Sequence, residues 1–255
     1  MQEKDILMNG FKVHYRIMGQ GQPLLILHGW GSSSDHWVKV QEHIAREEME
    51  VVVPDLPGFG KTNCPSVIWG VKDYAEFVAQ FAASIGLKKF SLAGHSFGGQ
   101  VAIQFAVFYP EKIEKLILIA PAAIRRRPGV KNSVLRFAAK IIGIALYVLP
   151  PNVGANIKSI GYRLLRRPDY LKSYGIMKDI FKQVISEDLS SVLKDIRVPT
   201  LLIWGRRDTL TALEDGVFMS KQIPNAIFKI DDSCGHNFHV QIPEVLAKMT
   251  VQFIK

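Results

Sequence analysis

The sequence predicts an α/β fold, a mostly parallel sheet with helices on both faces, interrupted once by an inserted helical cap. Three observations carry that prediction. Apolar runs of strand length alternate with segments of helical periodicity along most of the 255 residues. Two loops that follow such runs are dense in glycine or proline, "HGWGSSSDHW" after Leu27 and "DLPGFGKT" after Pro54. Between residues 121 and 190 the alternation stops and cations accumulate. Strands that alternate with helices at this interval pair in parallel and bury both faces of their sheet.

The first residues, MQEKDILMNGFKVHYR, contain no uninterrupted apolar run and no small-residue cleavage site. They read as the protein's first strand rather than an export signal, and cytoplasmic residence is the expectation. Strands are predicted over Phe11 to Ile17 and Pro23 to Leu27, and a helix starts near Asp35. Val51 to Pro54 is a short strand, and Tyr74 to Ile85 repeats apolar residues at helical spacing. Phe90 to Ala93 is a buried strand, Gly98 to Phe108 an apolar helix, and Leu116 to Ala120 another strand. The alternation resumes with "VPTLLIWG" (198–205), a helix around Ala212 to Gln222, a strand from Ala226 to Ile230 and a terminal helix from Pro243 to Ile254. The chain therefore divides into a core over 1–120, a helical cap over 121–190, and a second part of the core over 191–255.

Charge and cysteines narrow the function classes. The net charge of +9 sits entirely in the cap, where 13 Lys/Arg face 4 Asp/Glu, against 19 of each sign elsewhere. The segment has no nucleic-acid-binding motif and no stacking arrangement of aromatics, so nucleic acid is not an expected partner. Val134 to Leu149 is the most apolar part of the cap, but Arg136 and Lys140 break it. It falls short of the roughly 18 uncharged residues of a membrane span. A lid helix over an apolar pocket is the expected role, with interfacial membrane contact through the cap as the weaker alternative. Cys64 and Cys234 are the only cysteines and are far apart, which offers no disulfide framework and no metal-ligand spacing. Neither metal nor cofactor is expected.

The chemistry is expected around "GHSFGG" (94–99). A strand that runs at once into G-x-S-x-G and then a helix places the serine, Ser96, on a sharp turn above the sheet edge. A serine hydroxyl is a poor nucleophile at neutral pH, so it requires a base and a group to orient that base. Asp208 follows a strand through "GRRD", and His236 follows another through "DDSCGH". His239 is a rival base three residues on, and Asp231 and Asp232 are rival carboxylates. Donors for an oxyanion are expected from the N–H of Phe97, at the start of a helix, and from the N–H of Trp30 in "HGWG", where Gly29 and Gly31 free the backbone.

With "HGWG", "DLPGFGKT", "GHSFGG", "WGRRD" and "CGHNFH" in this order, the sequence resembles the α/β-hydrolase fold superfamily over nearly its whole length. The resemblance implies an eight-stranded, mainly parallel sheet, a helical cap inserted after the sixth strand, and no cofactor. It makes Ser96 the nucleophile, His236 the general base and acid, Asp208 the orienting carboxylate, Trp30 and Phe97 the oxyanion donors, and His28 a brace for the oxyanion loop. Three positions depart from the family pattern. Gln241 stands where a glutamate is common, Thr62 closes the "DLPGFGKT" loop in place of serine, and Asp208 is followed by Thr-Leu-Thr rather than an apolar pair and proline.

The expected reaction is hydrolysis of a small-molecule carboxylic ester, or a lactone, of small to medium acyl size through an acyl-enzyme. Carbon–carbon hydrolysis of an acidic diketone is the alternative, with Arg125, Arg126 and Arg127 holding the acidic group. The same three arginines equally suit a solvated face. A ligand receptor built on the same scaffold is the alternative from outside enzymology.

Overall fold

The computed structural model describes residues 1–125 and 175–255. The apolar stretch Val134 to Leu149, Arg126 and Arg127 lie outside the described residues.

A hairpin opens the chain. β1 (Gln2–Met8) pairs antiparallel with β2 (Phe11–Met18), Met8 facing Phe11 across a two-residue loop. The N-terminal segment is therefore two strands and not the single one expected. Its loop is Asn9-Gly10, both at positive φ (47° and 81°), the sequence signature of a tight hairpin turn. β2 pairs antiparallel with β4 (Met49–Pro54), and every later neighbour is parallel. With β3 (Gln22–Leu27), β5 (Phe90–His95), β6 (Ile113–Ile119), β7 (Thr200–Gly205) and β8 (Ile227–Asp231), the sheet has eight strands in the order β1-β2-β4-β3-β5-β6-β7-β8.

The central parallel strands are mostly apolar because both their faces are covered. β5 and β7 are buried at every position. Alternate residues of one strand feed opposite cores. Leu24 and Ile26 join Val51, Val53, Ile117, Ile119 and Ile203 on one face. There they meet α1 (Val38–Ala45) and the terminal helix α7 (Pro243–Ile254), through residues such as Ile44 and Leu246. Leu25 and Leu27 join Leu92, Leu116, Leu118 and Trp204 on the other face. These pack on α2 (Val71–Ser84), α3 (Phe97–Phe108), α4 (Ile176–Ser186) and α5 (Leu213–Gln222). A one-turn helix, α6 (Phe238–Gln241), stands before α7 and has no counterpart in the sequence expectation, being too short for periodicity to register. Among the described residues no helix is long and apolar enough to cross a membrane.

α3 lies so close to the sheet that its first turn tolerates no side chain at Gly98. A Cβ there would stand 2.3 Å from the Leu27 carbonyl oxygen and 2.6 Å from that of His28. Both are backbone atoms of β3 and its exit loop, so relief requires moving helix or strand. Gly98→Ala is expected to cost about 1–3 kcal/mol, as overpacking does. Urea denaturation would measure it, and a variant as stable as the parent would show that the helix can shift freely.

Candidate active site

Ser96 occupies the junction of β5 and α3 with φ 53° and ψ −113°. This conformation is costly for a residue with a Cβ and persists only where the surroundings hold it. Here the Ser96 N–H donates to Ile119 O at 3.0 Å, and its carbonyl accepts the N–H groups of Gly99 (3.0 Å), Gln100 (3.2 Å) and Ala122 (3.1 Å). The turn is fastened to β6, to its own helix and to the loop after β6. Gly29 presses on the same point from β3's exit loop, since a Cβ there would come within 3.3 Å of Ser96 Cβ and 3.0 Å of His95 Nδ1.

The ends of β7 and β8 bring Asp208 and His236 together, Nδ1 to Oδ2 at 2.7 Å, with the aspartate side chain fully buried. The Thr-Leu-Thr departure after Asp208 has a structural reason. Oδ1 accepts the N–H groups of Leu210 (2.7 Å) and Thr211 (2.9 Å), and Oδ2 accepts the Thr211 hydroxyl at 2.7 Å. Burial works against the charge of this carboxylate. The hydrogen bonds from His236 and Thr211 outweigh it and hold Asp208 below the usual carboxylate range. The Thr211 carbonyl in turn receives Trp204 Nε1–H at 3.1 Å, tying the loop to β7.

The loop that carries His236 is anchored on both sides of it. His95 Nε2–H donates to the His236 carbonyl at 2.9 Å. Gln241 Oε1 accepts the Gly235 N–H at 2.8 Å and the Cys234 thiol at 3.0 Å. Gln241, a departure from the family pattern, thus serves as a neutral acceptor beside a buried thiol that burial pushes up to about 11. The rival groups are engaged elsewhere. His239 stacks on Trp37 with ring centroids 4.7 Å apart and planes within 7°. Asp231 accepts the Ser233 and Cys234 N–H groups of its own turn, and Asp232 pairs with Arg206.

His28 is completely buried and bridges two loops. Its Nδ1–H donates to Gly29 O at 2.8 Å, so its Nε2 is left to accept the Leu56 N–H at 3.0 Å. Accepting at Nε2 needs a neutral ring, and burial pushes His28 down to about 4. Asp55, next to Leu56, accepts the N–H groups of Ser34 (2.7 Å) and Lys61 (2.8 Å), which shapes the same loop. Trp30 then projects from the braced loop into an aromatic cluster with Phe59, Phe97 and Phe181, at centroid distances of 4.8, 5.2 and 5.0 Å. Phe97 opens α3, where the first N–H groups have no partner within the helix.

These residues surround a cavity of about 580 Å³ that Ser96, His236, Trp30, Phe97 and Gly29 all reach. Ile124, Phe181, Val184 and Ile185 give it an apolar side. Arg125 lies on its wall, but the guanidinium is engaged by main chain. Nη1 donates to Ala122 O (2.7 Å) and Ile124 O (3.3 Å), and Nη2 donates to Val184 O (3.1 Å). Of the three arginines expected to hold an acidic substrate group, Arg125 is the one among the described residues, and both of its terminal nitrogens hold main-chain carbonyls. Thr211, His95 and Gln100 were not among the expected site residues, because what brings them to the site is chain crossing and not spacing along the sequence.

Three buried imidazoles around the site predict a steep acid response. Burial holds His28 down to about 4 and His239 to about 3, and it pushes His95 well below the ordinary range, helped by the neighbouring His236. The unfolded chain protonates these rings near pH 6.5 and the folded chain only far below it. Stability is therefore whole above pH 6.5 and is lost on acidification, by up to about 1.4 kcal/mol per pH unit for each ring. Urea midpoints are expected to fall from pH 7 to pH 5, and less steeply in His239→Phe. A flat profile would sink this account.

An α/β-hydrolase fold family model matches residues 22–143. Over 97% of its length the chain is 24% identical to a 2-hydroxy-6-oxo-6-phenylhexa-2,4-dienoate hydrolase of Burkholderia cepacia, 92% of which it covers. It is similar in structure to a bacterial membrane phospholipase A described as a virulence factor, with a TM-score of 0.78 and 27% identity, over 99% of this chain and 85% of that one. A meta-cleavage product hydrolase of Pseudomonas fluorescens IP01 follows at a TM-score of 0.74 and 21% identity, over 98% and 97% of the two chains. With the eight-stranded order, the strained serine turn and the buried aspartate–histidine pair already in place, these likenesses show that the chain has the α/β-hydrolase fold.

Proposed function

We propose that this hydrolase is a serine hydrolase that cleaves carboxylic esters or lactones of small to medium acyl size, with Ser96 as nucleophile. The observation that carries the reading is the 2.7 Å pair of His236 Nδ1 and Asp208 Oδ2, opening on the same cavity as Ser96. The buried carboxylate holds the proton on Nδ1 and leaves Nε2 free to take one from the Ser96 hydroxyl. The Ser96 oxygen attacks the ester carbonyl, and the N–H groups of Phe97 and Trp30 receive the oxyanion, each contributing about 3 kcal/mol to the transition state. His236 then returns the proton to the leaving alkoxide, which departs as alcohol. Water, deprotonated by the same imidazole, releases the acid from the acyl-enzyme and restores Ser96. Residues 121–190 act as a cap in this reading, with α4 as the wall against which the substrate chain lies.

An ester with an uncharged chain suits the apolar side of the cavity, where Arg125 is already bonded to carbonyls. A second reading, carbon–carbon hydrolysis of an acidic diketone, draws on the resemblance to the Burkholderia enzyme over 97% of this chain. In it Arg125, Arg126 and Arg127 hold the acidic group of the substrate, the last two lying outside the described residues. One experiment separates the two. The purified protein is offered p-nitrophenyl butyrate and 2-hydroxy-6-oxo-6-phenylhexa-2,4-dienoate, and a fluorophosphonate adduct is mapped by mass spectrometry. Repeated ester turnover with the adduct on Ser96 supports the first reading, and turnover of the dienoate alone replaces it with the second. Neither activity, with no adduct, overturns both.

A further inference from the structure

The Val184 carbonyl carries two side chains from separate parts of the fold. Val184 lies in the last turn of α4, where main-chain carbonyls have no donor within the helix. Gln100 Nε2–H reaches it at 3.1 Å and Arg125 Nη2–H at 3.1 Å, one for each lone pair. A cation at this end of a helix is also favoured by the helix dipole. Gln100 is 1% exposed, a buried amide in a helix whose other buried residues are apolar or glycine. It stands one turn after Ser96, and its own N–H bonds the Ser96 carbonyl at 3.2 Å. Arg125 holds Ala122 and Ile124 with its other terminal nitrogen, so it ties α4 to the loop after β6. Two further bonds secure the chain beyond α4, Leu189 N–H to Ala123 O at 3.0 Å and Val71 N–H to Glu187 Oε1 at 3.1 Å.

The consequence falls on the cavity. Phe181, Val184 and Ile185 of α4 form part of its wall, and through Gln100 that wall is fastened to the helix that begins at Ser96. Four residues of helix rise about 6 Å, so the wall is held a short, fixed distance from the serine. It cannot retreat while both bonds to Val184 hold.

We propose that Gln100 and Arg125 are specificity-determining residues, which set how long a substrate chain the cavity accepts by clamping the Val184 carbonyl. The inference rests on the reading of Ser96 as the acylated residue. Loosening the clamp lets α4 yield to a longer chain, and each methylene newly accommodated contributes about fourfold in affinity.

The test compares kcat/KM for p-nitrophenyl esters from acetate to dodecanoate in the parent, Gln100→Leu, Arg125→Met and the double variant, each checked for a cooperative melt. The octanoate-to-butyrate ratio is expected to rise at least tenfold in the double variant and to return part of the way in Arg125→Lys with Gln100 intact. A variant that is merely less stable or less active loses all esters alike and leaves the ratio where it was. A folded double variant with a ratio within twofold of the parent overturns the proposal. If the double variant does not fold, Arg125→Met alone decides, with a rise of about fourfold expected. Calorimetric binding of octanoate and butyrate to Ser96→Ala, with and without Arg125→Met, reads the same preference without turnover. A parent inactive on every ester therefore refutes the serine-esterase reading, while the calorimetric ratio still decides the clamp.

Discussion

Replacing Ser96 by alanine is expected to lower kcat by about 10⁶-fold, the scale seen when the nucleophile of a serine triad is removed, with substrate binding largely kept. Alanine retains a Cβ at φ 53° and ψ −113°, so it also retains the backbone strain of the turn. Ser96→Gly separates the two effects. It removes the hydroxyl and the Cβ together, and about 1 kcal/mol of strain is relieved. For a chain of this size that raises the melting temperature by about 2–4 °C. An inactive glycine variant more stable than the parent would show that the strain is held in place for the position of the hydroxyl. Turnover surviving in Ser96→Ala would remove Ser96 from the mechanism. Two serine variants of equal melting temperature would remove only the strain account.

Asp208→Asn is expected to lower kcat by about 10⁴-fold, and the surroundings of the carboxylate dictate why. Oδ1 receives two main-chain N–H groups, from Leu210 and Thr211, whose positions are fixed by the loop. An asparagine must turn its carbonyl oxygen to those donors, which places its NH₂ where Oδ2 now meets His236 Nδ1 at 2.7 Å and the Thr211 hydroxyl at 2.7 Å. The amide donates to Nδ1, the ring proton moves to Nε2, and the imidazole can no longer accept a proton from Ser96. Thr211→Val, which removes one donor from Oδ2 and leaves the tautomer intact, is expected to cost on the order of tenfold, the scale of one hydrogen bond to a charged group. Steady-state kinetics on the substrate found active, with the histidine tautomer followed by ¹⁵N NMR, checks both. A loss below tenfold in Asp208→Asn would contradict the proposed role of the pair.

The alternation of apolar strands and periodic helices determined the sheet and both of its cores, because burial on two faces leaves a continuous apolar run that survives in one dimension. The order Ser96, Asp208, His236 was legible for a related reason, since the residues after successive parallel strands all arrive at the same edge of the sheet. The hairpin at Asn9-Gly10 was missed, the N-terminal segment being read as one strand, although Asn-Gly is itself a turn signature. What only the tertiary structure decided is how polar groups from distant segments satisfy one another. His95 holds the His236 carbonyl across 141 positions, and Gln100 and Arg125 meet on Val184 from 84 and 59 positions away. No local spacing encodes such pairings, because a hydrogen bond depends on where the chain crosses itself. For the same reason Arg125, read as a cation available to substrate, became a clamp on main-chain carbonyls.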